Sequence, residues 1–325
     1  MATQYNFDTT ASELVKTYAP LIKDKVVLTT GVTINSIGST YVEAVSVAQP
    51  RLLILAGRTQ SKLDEAAARI TACPVRTLVV DLASFASVRK AADTVLGWDD
   101  VPALDVVHCN AGIMAVPYKL SEDGFEMQFA ANHLGHFLFV NLLMRKILAA
   151  KQPHVVAVSS DGHRASPVRF DDYNFDVSRL MSPTTLNHHG LTVSQSGNTY
   201  SKWTAYGQSK TANMLFALSL AEKFGPKGLQ AFSLHPGVIM STNLAEGAGE
   251  LDSLCKWSLT IAVGEQKLLM KINSVEHDKT NGYSLGWTKA FKLASADQGA
   301  ATSVYASFEP TLHRKSSPAV RESEP

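Results

Sequence analysis

The stretch AYGQSK places a phenol and an ammonium, Tyr206 and Lys210, four residues apart. On a helix that spacing puts both on one face. A free tyrosine titrates near pH ~10, so it is a poor acid or base at neutral pH unless a nearby cation favours the phenolate. Lys210 can supply that field. Alone, the spacing is common, and a solvated lysine beside a packed tyrosine satisfies it equally. Its surroundings make it specific. Ser159 and Ser160 close the apolar run HVVAVSS, Asn110-Ala111-Gly112 follow VVHC, and Asp81 closes VVD. Ligands in open α/β sheets bind at such strand ends.

These ends belong to a regular alternation. Apolar, β-rich runs occur at Val26–Thr30, Leu52–Ala56, Val75–Val80, Leu104–Cys109, His154–Ser159 and Gln230–His235. Between them lie stretches with helical spacing at Ser39–Ala48, Ser61–Ile70, Ser87–Leu96, roughly Gly124–Ala150, and Tyr206–Lys223. The pattern predicts a single α/β domain over residues 1–325, a doubly wound parallel sheet of six strands with helices on both faces. Two segments break the rhythm. Residues 161–202 are polar and read as an excursion outside the core, and residues 245–297 follow the last strand, where a substrate lid would sit. The tail from about residue 314 is polar and expected to be disordered.

The composition narrows the class. With 45% hydrophobic and 18% charged residues in 325, the chain can bury a core and is not disordered over most of its length. A net charge of +1 gives no reason to expect nucleic acid or a charged membrane surface. Cys73, Cys109 and Cys255 form no disulfide framework, which points to a reducing, cytoplasmic setting. The N-terminus lacks the basic and apolar regions of a signal peptide. The apolar stretch Leu134–Ala150 is too short and too interrupted to span a bilayer.

The loop after the first strand, TTGVTINSIGST, carries only Gly31 and Gly38. That spacing matches no standard dinucleotide fingerprint. From residues alone it is either a phosphate loop or a plain strand-to-helix turn.

Taken together, the motifs resemble the short-chain dehydrogenase/reductase family, in its branch of retinol-dehydrogenase-like and fungal-type oxidoreductases. The matching residues are TG at 30–31, AGR at 56–58, DL at 81–82, NAG at 110–112, NHLGHF at 132–137, SS at 159–160, YGQSKTAN at 206–213, LHPGVI at 234–239 and QGAAT at 298–302. They span roughly residues 22–310 in family order. The resemblance implies a Rossmann-type fold and a catalytic tetrad of Asn132, Ser160, Tyr206 and Lys210. Tyr206 would exchange a proton with the substrate oxygen, and Lys210 would lower its pKa and bind the nicotinamide ribose. Ser160 would bond the same substrate oxygen, and Asn132 would hold a water in the proton path. Ser159, its side chain on the opposite face of the strand, is read as structural.

For the cofactor, the resemblance implies contacts from Gly31, Thr33, Asn35, Ser36, Ile37, Asp81, Leu82, Asn110, Ala111, Gly112, Tyr206, Lys210, Pro236, Gly237, Val238 and Ile239. Arg58, with Lys62 one turn on, stands at the end of the second strand, where a carboxylate would repel a 2′-phosphate. An arginine fork suits a phosphate, so NADP(H) is expected; a surface arginine is the alternative. No metal is expected. His133 and His136, and His188 with His189, lack a third ligand at metal spacing and are read as packing or surface histidines.

Three departures from the family stand out. The phosphate loop is one residue longer, with Asn35 where a glycine would sit; asparagine tolerates positive φ. Thr33, Ser36 and Ser39 add hydroxyls near a helix N-terminus that attracts phosphate. Forty-six positions separate Ser160 from Tyr206, which leaves the state open between monomer and homodimer. The C-terminus has no pattern for a seventh strand. The expected activity is NADPH-dependent reduction of a ketone or aldehyde on a medium-to-large substrate of polyketide, terpenoid or steroid-like kind. The alternatives are NADP-dependent alcohol oxidation and a non-catalytic NADP(H)-binding regulator or scaffold.

Overall fold

Short runs of Val, Leu and Ile, each bounded by turn residues, form the sheet. The computed structural model describes residues 5–176, 199–239, 242, 244 and 293–312. Among them are six strands: β1 (Val26–Thr30), β2 (Leu52–Gly57), β3 (Val75–Val79), β4 (Val106–Cys109), β5 (His154–Val158) and β6 (Gln230–Leu234). All pairings are parallel, in the order β3-β2-β1-β4-β5-β6. Strand order reverses between β1 and β4, the switch point where an open α/β sheet presents its crevice. This is the doubly wound, Rossmann-type architecture expected from the alternation.

The helices are α1 (Ala11–Ile22), α2 (Ile37–Ser46), α3 (Gln60–Ala67), α4 (Phe85–Leu96), the single turn α5 (Met127–Phe129), α6 (Gly135–Leu148), α7 (Lys202–Phe224) and α8 (Ala296–Phe308). Because successive strand residues point to opposite faces, the sheet carries two cores. Leu28, Ile54, Val107 and Val155 pack with Val88 and Val95 of α4 and Phe139 and Leu143 of α6. Val27, Leu53, Leu55 and Val106 pack with Leu14 of α1, Tyr41 of α2 and Val304 of α8.

Several boundaries differ from the sequence reading. The long helix begins at Met127 rather than Gly124, because the buried carboxylate of Glu126 caps it by accepting from the N–H groups of Gln128 (2.9 Å) and Phe129 (2.8 Å). It is also not one helix: Ala130–Leu134 form a π turn between α5 and α6. The helix holding Tyr206 starts four residues earlier, at Lys202, with Ser201 as its N-cap. Two helices were not expected. Both α1 and α8 begin with a full capping box, Thr10 with Glu13 and Ser295 with Gln298.

The first part of the 161–202 excursion is not outside the core. Phe175 is fully buried, and Gln208 of α7 accepts from the Arg169 N–H (3.0 Å) and donates to the Tyr173 carbonyl (3.0 Å). Most of the expected lid and the tail from 314 lie outside the described residues. The lid's last two positions, Ala296 and Asp297, open α8.

Candidate active site

Tyr206 and Lys210 lie in the first turns of α7, each 4% exposed, with the Lys210 Nζ 5.6 Å from the centre of the Tyr206 ring. The Lys210 ammonium donates to the Val158 carbonyl at the end of β5 (3.0 Å). Burial pushes Tyr206 up to about 12, partly offset by its hydrogen bond with Ser160. The shift is upward, opposite to the lowering expected from Lys210, because desolvation disfavours the charged phenolate. Burial moves Lys210 the other way, down to about 8.

Two glycines bring Ser160 to this tyrosine. A Cβ on Gly162 would stand 2.9 Å from the Tyr206 Cε1, and one on Gly207 would stand 2.8 Å from the Gly162 carbonyl oxygen. The loop after β5 therefore lies directly on α7, and the Thr211 hydroxyl fastens it by donating toward the His163 (3.0 Å) and Ser166 (2.7 Å) carbonyls. Ser159 faces the other way and donates to the Lys210 carbonyl (2.8 Å), a structural tie.

Asn132 sits in the π turn, fully buried. Its side chain accepts from the Ile113 N–H (2.8 Å) and donates to the Ile113 carbonyl (2.9 Å) and the Ser209 hydroxyl (2.9 Å). It thus pins the chain beyond the Asn110–Gly112 turn to α7. A Cβ on Gly112 would fall 3.3 Å from Asn132 Oδ1 and 3.5 Å from Lys210 Nζ. The four predicted catalytic residues share one neighbourhood at the carboxyl ends of β4 and β5.

The loop after β1 explains its two glycines. Gly31 has φ +73°, and a Cβ there would meet Ala111 Cα at 2.6 Å; a Cβ on Gly38 would meet Asn110 Nδ2 at 2.6 Å. The Asn110 amide donates to the Thr30 (2.9 Å) and Gly31 (3.3 Å) carbonyls. Asn35 takes φ +61°. The hydroxyls of Ser36 and Ser39 serve each other: Ser36 accepts from the Ser39 N–H (3.0 Å), and Ser39 accepts from the Ser36 N–H (3.2 Å). Ser36 also takes the Thr33 N–H (3.3 Å). What this loop offers a phosphate is therefore the N-terminus of α2 rather than its serine hydroxyls.

Around the crevice, Arg58 and Lys62 are exposed beyond β2, in no ion pair with the described residues. The Asp81 carboxylate closes its own turn on the Ala83 N–H (2.9 Å). Leu82 is buried, and its carbonyl lies against Gly135. Beyond β6, Gly237 takes φ +92°, Val238 bridges to Leu293, and Ile239 packs against Gly299 of α8. Pro236 places its carbonyl against the same glycine. A polyanionic dinucleotide fits this donor set: a helix N-terminus, two exposed cations, and glycines where a Cβ would fill the cradle.

Sequence reasoning missed Thr30, Ser209 and Thr211 as site-building residues, since their partners lie tens of residues away. An open apolar cavity of about 480 Å³, lined by Phe129, His133, Phe137, Phe170, Leu215 and Phe216 among others, lies on the flank of α6 and α7. None of the four tetrad residues lines it. Among the described residues no cluster of three His, Cys, Asp or Glu could hold a metal, and no helix is long and apolar enough to cross a membrane.

The fold is that of a doubly wound α/β protein, with Ser160, Tyr206 and Lys210 gathered at the carboxyl ends of β4 and β5. The short chain dehydrogenase profile matches residues 25–174. The WW domain-containing oxidoreductase of Danio rerio is 31% identical over 95% of this chain and 64% of its own length. The oxidoreductase calI of Penicillium decumbens is 34% identical over 73% of this chain and 66% of its own. Human retinol dehydrogenase 14 is 34% identical over 66% and 59%. The chain thus spans about three fifths to two thirds of the length of these relatives. A crystal structure of an uncharacterized protein from Mycobacterium paratuberculosis superposes with a TM-score of 0.55 at 34% identity, covering 74% of this chain and 76% of that one. The chain belongs to the short-chain dehydrogenase/reductase family, whose members bind nicotinamide dinucleotides.

Proposed function

We propose that the protein is an NADPH-dependent reductase of a ketone or aldehyde carried on a medium-to-large organic substrate. The observation that carries this reading is the Tyr206 phenol, held protonated by burial beside the Ser160 hydroxyl, with Lys210 one turn along the same helix. When bound, the nicotinamide nucleotide supplies a hydride. Tyr206 gives its phenolic proton to the carbonyl oxygen, and Ser160 donates a hydrogen bond to that oxygen as negative charge develops on it. Lys210, at about 8, exchanges protons near neutral pH and can restore the phenol. Asn132 fixes the turn at Gly112 against Lys210.

Arg58 and Lys62 favour a 2′-phosphate through charge-assisted hydrogen bonds. The retinol dehydrogenases among the relatives carry the name of a large apolar alcohol, which supports a substrate beyond sugar size. The test is turnover of a carbonyl panel, followed by nucleotide absorbance, with NADPH and NADH in parallel. NADPH should be preferred, and Arg58→Asp should erode that preference by about 10- to 100-fold, the worth of one or two charged hydrogen bonds. Equal use of both nucleotides by the wild type contradicts the NADPH assignment.

A further inference from the structure

We propose that His136, locked as its Nδ1–H tautomer between the Thr30 hydroxyl and the Asn132 carbonyl, is a positioning residue that couples the nucleotide-side turn to the catalytic helix turn. It rests on the oxidoreductase reading of the site, and it goes beyond the tetrad.

The hydrogen-bond accounting allows one arrangement. The Thr30 hydroxyl has two lone pairs and one proton. Its oxygen accepts from the N–H groups of Asn110 (3.0 Å) and Ala111 (3.0 Å), which occupies both lone pairs. Its proton is therefore directed at His136 Nε2, 2.8 Å away, and that nitrogen carries no hydrogen. The ring proton sits on Nδ1 and is donated to the Asn132 carbonyl (3.0 Å). That carbonyl belongs to the π turn, where the Gly135 N–H bonds the Ala130 carbonyl and the helical ladder is shifted. Such turns concentrate at functional sites.

The result is one continuous chain of contacts. It runs from the Asn110–Ala111 turn through the Thr30 hydroxyl at the end of β1 to His136, then to Asn132, and from its side chain to Ile113 and to Ser209 behind Tyr206. The imidazole is 1% exposed. Burial holds it neutral, at about 4, against the opposing pull of its hydrogen bond to the Asn132 carbonyl; Lys210 and His133 lower it further, and His108 is a further imidazole close enough to interact. A second proton would have to sit on Nε2, pointing at a hydroxyl oxygen with no lone pair left. Protonation and the bridge are incompatible.

The tautomer is tested first, on the wild-type protein, by imidazole ¹⁵N NMR, with the His136 signals assigned by their loss in His136→Gln. The Nδ1–H form should persist down to pH ~5. An Nε2–H tautomer, or titration near pH ~6.5, overturns the proposal. The coupling is tested by kinetics. His136→Phe and Thr30→Val should each lower kcat by about 100-fold, the scale of a small misplacement, with the nucleotide KM changed less than about 3-fold. Their effects should not add, since both cut one bridge. Thr30→Ser, which keeps the hydroxyl, should restore kcat to within a few-fold. Full additivity, or failure of serine to rescue, overturns the coupling. If the wild type reduces no carbonyl, the reductase reading falls while the NMR result still decides the tautomer.

Discussion

Where β1 ends, two neighbouring threonines face opposite sides of the sheet, and each has a fully buried histidine near it. Thr30 faces the side packed by α4 and α6, and its hydroxyl makes three hydrogen bonds, one to His136. Thr29 faces the side packed by α1, α2 and α8, paired in register with His108 of β4. There the Thr29 hydroxyl and both His108 nitrogens have no hydrogen-bond partner among the described residues, and the His108 ring lies 4.3 Å from that of Tyr41. The same residue types at the same depth are wired on one face and merely packed on the other. The wired face is the one that holds Asn132. Hydrogen bonding inside this sheet follows the site, not burial alone.

The contrast can be broken most severely at Gly135. Its Cβ would stand 2.1 Å from the Leu82 carbonyl oxygen, a backbone atom that cannot step aside. Gly135→Ala should cost at least about 3 kcal/mol or abolish folding, read as the urea midpoint. A midpoint close to wild type means that α6 can back away from the sheet, and the tight wiring of that face is wrong.

A paired substitution sharpens the comparison further. His136→Leu leaves the Thr30 proton and the Asn132 carbonyl unmatched and should destabilise by about 1–3 kcal/mol per orphaned group. His108→Leu removes two nitrogens that bond none of the described residues and should be neutral or stabilising. Equal losses in the two variants dissolve the distinction between the faces.

The comparison also predicts a dependence on pH. Burial lowers His108 to about 3 and His136 to about 4 from 6.5. Folded values below the unfolded one mean stability that is whole above pH 6.5 and falls as pH drops toward those values. Thermal melts between pH ~7 and ~4.5 should show this decline, and His108→Leu should flatten part of it. A melt profile unchanged by His108→Leu contradicts a neutral, desolvated His108.

The sheet was legible because its strands are short Val, Leu and Ile runs separated by turn residues and amphipathic stretches, as in Leu52–Gly57 followed by Gln60–Ala67. The two terminal helices were not expected, although the Thr10–Glu13 and Ser295–Gln298 boxes mark their starts, because their apolar faces become meaningful only once they pack across the sheet. At the phosphate loop, positive φ at Asn35 follows from residue type. The use of Ser36 and Ser39 does not, because a hydroxyl at a helix N-terminus can cap the helix or meet a ligand, and sequence does not distinguish the two. His136 was read as a packing or surface residue because it lacks a third ligand at metal spacing, and no local signal points to its partner Thr30, 106 positions away. Only the strand order brings the two together.

The central claim is that the buried phenol of Tyr206 does the proton chemistry of a carbonyl reduction. Its most direct test is NADPH-dependent turnover of a carbonyl panel by the wild type and by Tyr206→Phe, with nucleotide binding to both followed by fluorescence. The wild type should turn over, and the variant should still bind the nucleotide but lose about 10²- to 10⁴-fold in rate. A Tyr206→Phe protein that keeps full turnover contradicts the account.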